Sequence, residues 1–196
     1  MMIEMNPEII SSAAARPKII ILDRDGVINY DSDTFIKTPD EWKPIPGSLE
    51  AIAQLNAAGY HVVVASNQSG IERGLFDTQT LLAIHAKMHQ ALNQFGGKID
   101  AIFYCPHTDR AECDCRKPKP GMLREIESRF HITLDNVPCV GDSLRDLQAA
   151  SVVNALPVLV RTGKGEQTAQ SEHLPPHTQI FANLAGVAAF FLGRTG

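Results

Sequence analysis

The sequence contains no apolar run that approaches the roughly 18 to 20 residues of a membrane span. It also lacks a basic excess, because its formal net charge is −4 and its pI is near 5.9. Nucleic-acid-binding proteins usually carry such an excess. No internal repeat or low-complexity tract is present. We therefore expect neither a membrane span nor a nucleic-acid partner.

The N-terminal 17 residues, MMIEMNPEIISSAAARP, lack the basic and acid-poor character of a signal or transit peptide, because Glu4 and Glu8 are acidic. We expect this segment, residues 1–17, to be poorly ordered. The chain has 196 residues and 44% hydrophobic content, enough for one substantial core and too little for two. We therefore expect a single domain over residues 18–196, in a cytosolic protein that is a monomer.

Strand-like and helix-like patterns alternate along the chain, which predicts an α/β fold with a central parallel sheet. Apolar runs predict buried strands over residues 18–22, 61–65, 99–105, 137–143 and 156–163. Helices are predicted from Ser48, which we take as an N-cap, to Gly59, and then from residues 77, 120 and 182. Residues 163–179 are interpreted as a long surface loop.

Polar residues follow these strands at the points where they end. Asp23 and Asp25, in IILDRDGVIN, follow the first strand. The other polar groups follow the next three strands: Ser66, Asn67, Arg116, Lys117 and Asp142. Ligands of open α/β sheets bind outside the carboxyl ends of the strands, so we expect these groups to meet at one edge.

Asp23 and Asp25 have a structural interpretation as well as a catalytic one. Asp-x-Asp-Gly also occurs in turns and calcium loops. The ten residues IILDRDGVIN alone therefore favour the structural and the catalytic interpretation about equally. A calcium loop requires an acid or amide at the next odd position, where Val27 stands. Two close carboxylates repel each other unless a cation or a shared proton compensates.

Together, these groups form a set suited to phosphoryl transfer. Asp23 can attack phosphorus as a nucleophile, and Asp25 can act as general acid and base. A magnesium ion can bind the phosphate oxygens. We expect Asp23, Asp142 and a backbone carbonyl to hold it, and we count Asp25 among the metal-site residues as well. Ser66 and Lys117 can stabilise the remaining oxygens.

Four motifs, DRDGVIN, SNQSG, CRKPKPGM and VGDSLRD, resemble the signatures of the haloacid dehalogenase (HAD) superfamily of phosphatases. The resemblance implies a Rossmann-like three-layer sandwich, with Asp23 as nucleophile and Asp142 as magnesium ligand. Residues 19–165 are similar to a subgroup whose members act on a sugar bisphosphate of lipopolysaccharide synthesis or on histidinol phosphate. The phosphorylated small molecule is therefore expected to be a sugar bisphosphate, with histidinol phosphate as the alternative.

The same resemblance implies a set of substrate-binding residues: Asn29, Asp31, Asn67, Gln68 and Arg116. Arg116 matches the residue that recognises the substrate in the subgroup that acts on sugar bisphosphates. The sequence departs from the family at Ser143, where a lysine often stands. This difference removes a possible second phosphate contact.

A second constellation, C-x-H-x₅-C-x-C, consists of Cys105, His107, Cys113 and Cys115. Three thiolates and one imidazole suit a closed tetrahedral zinc site. Disulfides are the alternative, but cytosolic proteins rarely keep them. Zinc would fix the backbone that precedes Arg116, so we expect the metal to be structural.

About 20 residues separate the first strand from its helix, too few for an inserted cap domain. We expect a capless enzyme whose mouth is shaped by the flap, residues 29–36, and the zinc loop. The alternative, from another class of protein, is a non-catalytic binding module stabilised by zinc.

Two other motifs are interpreted as structural. His85 and His89 are interpreted as exposed residues on the surface of a helix, and RTGKGE is interpreted as a turn rather than a phosphate-binding loop.

Overall fold

The computed structural model describes residues 2–5 and 17–193 of the chain. Seven strands form one sheet in the order β1-β4-β3-β2-β5-β6-β7. Strands β2 to β7 pair in parallel, whereas β1 pairs antiparallel with β4 at one edge. The strands are β1 (Met2–Met5), β2 (Lys18–Leu22), β3 (Tyr60–Asn67), β4 (Ala101–Cys105), β5 (Pro138–Gly141), β6 (Leu156–Val160) and β7 (Gln179–Phe181).

Helices connect these strands in the α/β pattern that the sequence predicts. They are α1 (Ser48–Ala57), α2 (Thr78–Asn93), α3 (Gly121–Phe130), α4 (Leu144–Val152), α5 (Gly165–Thr168) and α6 (Leu184–Phe191). Short 3-10 turns lie at Pro39–Glu41 and Asp109–Ala111. No helix among the described residues is long and apolar enough to cross a membrane.

The sheet is covered on both faces, which confirms the three-layer architecture. Side chains alternate along β2, so Ile20 and Leu22 pack with residues of α1, α2 and α6. Ile19 and Ile21 point to the other face and pack with residues of α3 and α4. Because both faces are buried, every residue of β2 after Lys18 is apolar.

The two ends of the sheet differ from the sequence predictions. Met2–Met5 form a strand within the segment expected to be poorly ordered, and residues 6–16 of that segment lie outside the described residues. The predicted surface loop at 163–179 contains α5 and reaches the first residue of β7. These short elements lack the long apolar periodicity from which the longer strands and the helices α1, α2, α3 and α6 were predicted.

Two residue-level predictions were wrong. Ser48 is the first residue of α1 rather than its N-cap, because Gly47 takes the cap position and the Ser48 hydroxyl donates to the Ile28 carbonyl at 2.7 Å. His85 is buried, and its ring contacts Tyr104 edge-to-face. It was interpreted as exposed because its position on the core side of α2 was not recognised.

The position of β2 between β3 and β5 determines which loops meet. Leu22 pairs with Val64 on one side and with Val140 on the other. The Asp23 N–H then donates to the Val140 carbonyl at 2.8 Å, which places Asp23 between the ends of both neighbours. Residues 23–47, between β2 and α1, contain one 3-10 turn and no inserted domain, as the capless prediction requires.

Candidate active site

Three buried aspartates, here called the acid cluster, meet at the carboxyl edge of the sheet. Asp23 follows β2, Asp142 follows β5, and Asp146 lies in the first turn of α4. One carboxylate oxygen of each lies within 4.8 Å of the other two. The Lys117 ammonium contacts two of them, with Nζ 3.2 Å from Asp23 Oδ1 and 2.6 Å from Asp146 Oδ1.

The acid cluster concentrates more negative charge than Lys117 neutralises. Burial, followed by the Asp146 and Asp23 carboxylates, raises the pKa of Asp142 to about 7. Burial also raises the pKa of Asp23, although the Lys117 charge opposes this effect. Hard divalent cations such as Mg²⁺ bind carboxylate oxygens and relieve such repulsion. The cluster therefore fits a magnesium ion beside Asp23 and Asp142.

Gly26 allows Asp142 to approach the loop after β2. Its φ is +82°, and an added Cβ would lie 2.1 Å from Asp142 Oδ2. Any larger side chain would therefore displace the Asp142 carboxylate as well as strain the backbone. The glycine of DRDGVIN thus has a steric role at the predicted metal site.

Asp25 is held apart from the acid cluster by its own hydrogen bonds. Arg24 is fully buried and binds both Asp25 carboxylate oxygens, with Nη2 at 2.9 and 2.8 Å. The side-chain amides of Asn29 and Gln68 donate to Asp25 at 2.8 and 2.9 Å. Burial opposes ionisation, but the Arg24 charge and these amides prevail and lower the pKa of Asp25. The predicted place of Asp25 among the metal-site residues stays a prediction, since its oxygens are engaged by Arg24, Asn29 and Gln68 and it is not one of the three aspartates of the acid cluster.

Ser66, Asn67 and Lys117 are brought together at the end of β3. Asn67 receives the Lys117 N–H at 3.1 Å and donates to its carbonyl at 3.0 Å, so it fixes the Lys117 backbone. The Lys117 ammonium also donates to the Ala65 carbonyl at 2.7 Å. Ser66 Oγ accepts from Gln68 at 2.8 Å. These bonds aim the lysine and hydroxyl at the space beside Asp23.

The predicted substrate-binding residues divide into two groups. Asn29 is fully buried and gives its amide to Asp25 and the Tyr30 carbonyl. Asn67 and Gln68 similarly support Lys117 and Asp25. The amides of these three residues therefore bind groups of Asp25 and Lys117, and their contact with substrate stays a prediction. Asp31 and Arg116 are half-buried.

Sequence reasoning missed Asp146 and Arg24 as parts of the site. Asp146 also organises α4, because its Oδ2 accepts the Ser143 N–H at 3.0 Å and the Ser143 hydroxyl at 2.5 Å. Ser143, which stands where the family often has lysine, thus forms a capping box with Asp146. The spacing of four residues between Asp142 and Asp146, across a helix start, is the signal that could have identified this second acid.

The four predicted zinc ligands, here called the sulfur cluster, also converge. The Sγ atoms of Cys105, Cys113 and Cys115 lie 3.3 to 3.6 Å apart, and His107 Nδ1 lies 3.5 Å from Cys115 Sγ. All three cysteines are free thiols, since a disulfide requires about 2.05 Å. With Zn–S bonds of about 2.3 Å, a tetrahedral site has sulfur–sulfur edges of nearly 3.8 Å. The sulfur cluster can therefore hold zinc after a small expansion.

The zinc loop supports Arg116 directly. Arg116 Nη1 donates to the carbonyl of His107 at 3.1 Å, and Arg116 follows Cys115 in the chain. Arg116 is therefore linked to two of the four residues that would bind the metal, to His107 by a hydrogen bond and to Cys115 by a peptide bond. The sequence prediction that this loop positions Arg116 agrees with these contacts.

Known proteins share this fold and these motifs. A HAD-hydrolase-like family model matches residues 114–187. The chain is 57% identical to D,D-heptose 1,7-bisphosphate phosphatase from Bordetella bronchiseptica, whose crystal structure contains magnesium and phosphate. That comparison covers 91% of this chain and 99% of the other, with a TM-score of 0.89. The chain belongs to this family of HAD-like hydrolases.

Curated relatives agree with the structural comparison. The D-glycero-beta-D-manno-heptose-1,7-bisphosphate 7-phosphatase of B. bronchiseptica is 58% identical over 87% of this chain and 96% of its own length. The enzyme of the same name from Pseudomonas putida is 56% identical over 87% and 97%. A crystal structure of D,D-heptose 1,7-bisphosphate phosphatase from Burkholderia thailandensis is 47% identical, with a TM-score of 0.72 over 89% and 98% of the two chains.

Proposed function

We propose that this protein removes the 7-phosphate of D-glycero-β-D-manno-heptose 1,7-bisphosphate, a precursor of lipopolysaccharide, through a phosphoenzyme formed at Asp23. One observation carries the proposal. The buried Asp23 carboxylate lies 3.2 Å from the Lys117 ammonium and shares one sheet edge with the separately held acid Asp25. The relatives that are more than half identical bear the name of this activity.

In the first step, an Asp23 oxygen attacks phosphorus and the bond to the sugar oxygen breaks. Asp25 gives its proton to that leaving oxygen. In the free protein the Arg24 charge and two amides lower the pKa of Asp25 against the effect of burial. A dianionic phosphate placed beside Asp25 raises that pKa, because a nearby like charge disfavours the ionised form. Substrate binding thus supports the protonated state that the step needs.

In the second step, water attacks the phosphorus of the aspartyl phosphate. Asp25, now ionised, accepts a proton from this water, and the bond between phosphorus and the Asp23 oxygen breaks. Inorganic phosphate leaves, and Asp23 is regenerated as a carboxylate. The buried Arg24 and the amides of Asn29 and Gln68 keep Asp25 in one orientation throughout the cycle.

Lys117 and the Ser66 hydroxyl stabilise the phosphoryl oxygens during both steps. Asp23 and Asp142 would hold magnesium, which supplies charge neutralisation at the phosphate. Lys117 is already shared by Asp23 and Asp146, so its ammonium stays at the reacting centre when substrate is absent. This preorganisation is the reason that the lysine needs no movement to act.

Substrate recognition falls to Arg116 and Asp31 at the mouth, with Asn29, Asn67 and Gln68 acting through the groups they orient. A guanidinium can bind the non-reacting 1-phosphate with two parallel hydrogen bonds. The sulfur cluster would hold a structural zinc ion, which would keep Arg116 in place. The free thiols suit a reducing compartment, so we propose that the protein works in the cytosol. We further propose that it acts as a monomer on a small phosphorylated substrate.

The test is phosphate release from the 1,7-bisphosphate by the purified protein in magnesium, with the product identified by NMR. We expect heptose 1-phosphate as the product and inorganic phosphate in equal amount. Exclusive release of the 1-phosphate would contradict the proposal. If no phosphate ester were hydrolysed, the result would favour the alternative of a non-catalytic binding module stabilised by zinc.

A further inference from the structure

The turn between β6 and α5, in the RTGKGE segment, contacts the site at two points. Thr162 Oγ1 donates to the Gly26 carbonyl at 2.6 Å, and the Lys164 N–H donates to Asp142 Oδ2 at 2.8 Å. Gly163 has φ +57°, and an added Cβ would lie 2.2 Å from Asp142 Oδ2. The backbone of this turn is therefore packed against the metal-site carboxylate.

The side chain of Lys164 extends from this fixed backbone to the flap. Its Nζ lies 3.2 Å from Asp31 Oδ2 and 3.6 Å from Asp33 Oδ1. Asp33 is almost fully exposed, whereas the Asp31 side chain is 24% exposed. Asp31 is therefore the partner that the ion pair can hold in a defined position.

The charges at the mouth explain why such a contact is needed. Asp31 is close enough to contribute to the raised pKa of Asp142, so the flap and the acid cluster repel each other electrostatically. A phosphate ester entering the same opening adds further negative charge. The Lys164 ammonium opposes both repulsions at the point where flap and site approach each other.

We propose that Lys164 is a positioning residue that sets the flap over the active site: its main-chain N–H orients Asp142, and its ammonium holds Asp31. The inference rests on the proposed function insofar as Asp31 contacts the sugar. One residue then links the metal-site carboxylate to the substrate-facing flap. The role differs from that of Arg116, which belongs to the zinc loop and faces the substrate itself.

The test begins with Lys164→Met, which removes the ammonium and keeps the N–H bond to Asp142. We expect faster hydrogen–deuterium exchange of flap amides 30–36, with exchange at 142–146 unchanged. For the bisphosphate we expect KM to rise about fivefold with kcat within twofold, because a partly exposed ion pair is weak. Lys164→Arg, which keeps the positive charge, should restore the flap exchange rate and KM of the wild type. Unchanged flap exchange in Lys164→Met would overturn the proposal.

A double-mutant cycle with Asp31→Asn separates positioning from direct substrate contact. If Lys164 acts through Asp31, Lys164→Met should change KM by less than about 1.5-fold in the Asp31→Asn background. The same fivefold loss in that background would mean that Lys164 binds substrate directly, which contradicts the proposal. Lys98→Met, at the opposite end of the sheet, is the matched control for loss of one lysine charge.

The main-chain contact has its own test in Lys164→Pro, which also removes the N–H donor. The φ of Lys164 is −88°, close to the range of proline. We expect magnesium to raise the unfolding temperature of Lys164→Met as in the wild type, and to require several-fold higher concentrations for Lys164→Pro. If Lys164→Met and Lys164→Pro weakened magnesium binding equally, the main-chain N–H and the ammonium of Lys164 would not have the separate roles that we propose.

The exchange and magnesium measurements do not depend on the substrate. If the wild type fails to hydrolyse the heptose bisphosphate, the proposed function fails, while flap exchange still decides the role of Lys164. If the wild type hydrolyses it and Lys164→Met leaves flap exchange unchanged, only the inference about Lys164 fails.

Discussion

The acid cluster and the sulfur cluster lie at the same edge of the sheet, but the negative charge of their side chains is compensated differently. In the acid cluster, Lys117 neutralises part of the charge of Asp23 and Asp146, and the remaining negative charge is left for a cation, which could in turn bind a phosphate. The sulfur cluster offers four soft ligands, enough to fill a tetrahedron without any substrate. The first arrangement suits exchange and chemistry, and the second suits permanent structure.

The two clusters are also joined through the chain. Cys115 of the sulfur cluster is followed by Arg116, the proposed substrate-binding residue, and by Lys117, which contacts the acid cluster. A change in the sulfur cluster should therefore reach the chemistry only through these two cations. A change in the acid cluster should leave zinc in place.

The largest expected effect is that of Asp23→Asn, because an amide cannot form the phosphoenzyme. We expect kcat to fall at least about a thousandfold, with zinc content and unfolding temperature close to those of the wild type. Phosphate release under saturating substrate checks the rate, and circular dichroism checks the fold. Asp135→Asn, at an exposed position, is the control and should retain activity. A rate near that of the wild type in Asp23→Asn would rule out this nucleophile.

Arg116→Ala should have the next largest effect. Loss of a charge-assisted contact with the 1-phosphate should reduce kcat/KM for the bisphosphate by about 2 to 4 kcal/mol in transition-state free energy. The rate on p-nitrophenyl phosphate, which has no second phosphate, should change far less. The exposed Arg124→Ala in α3 is the control.

Equal losses of Arg116→Ala on both substrates would contradict a role in recognising the second phosphate. They would mean that Arg116 serves the reacting phosphate or the fold.

Cys113→Ser should break the sulfur cluster while leaving the acid cluster intact. We expect loss of stoichiometric zinc and a decrease of about 2 kcal/mol in the free energy of unfolding, because metal binding contributes to folding. Elemental analysis and chemical denaturation measure the two quantities. Cys139→Ala, which alters a buried β5 cysteine outside the cluster, should keep its zinc. A Cys113→Ser protein of unaltered stability would count against the zinc site.

The smallest expected effect is a dependence on pH of the free energy of unfolding of the metal-free protein. The pKa of Asp142 is about 7 in the folded state, above its ordinary value near 3.8, and that of Asp23 is also raised. The folded state therefore binds more protons than the unfolded state between about pH 4 and 7, so stability falls as the pH rises through this range. We expect a loss on the order of 1 to 2 kcal/mol between pH 6 and 8.

Saturating magnesium should abolish this slope, because the metal binds both carboxylates in their ionised form. Denaturation at several pH values, with and without magnesium, makes the comparison. A metal-free protein that becomes more stable between pH 5 and 8 would contradict the electrostatics of the acid cluster.

The sequence predicts the reacting groups well because each one follows an apolar strand, and parallel strands place their carboxyl ends at one edge. Asp23 and Asp142 could be located in this way, as could the sulfur cluster from its spacing. The role of Arg24 could not, because its burial depends on contacts with the adjacent Asp25 and with the distant Gln68, in a loop whose conformation no periodic pattern encodes. Lys164 escaped prediction for the same reason, since its contacts join two loops far apart in the chain.

Asn29 and Gln68 show a further limit of sequence reasoning. The motif places both residues near the site, but only side-chain directions reveal that their amides donate to Asp25. The short strands β1 and β7 also escaped prediction, because each extends a sheet whose stability comes from the longer central strands.

The most direct test of the central claim is a comparison of kcat/KM for D-glycero-β-D-manno-heptose 1,7-bisphosphate and for histidinol phosphate, made with the same magnesium-loaded protein. Because we propose that Arg116, which contacts the zinc loop, binds a second phosphate, we expect the bisphosphate to be favoured at least about a hundredfold. A value for histidinol phosphate equal to or higher than that for the bisphosphate would contradict the account.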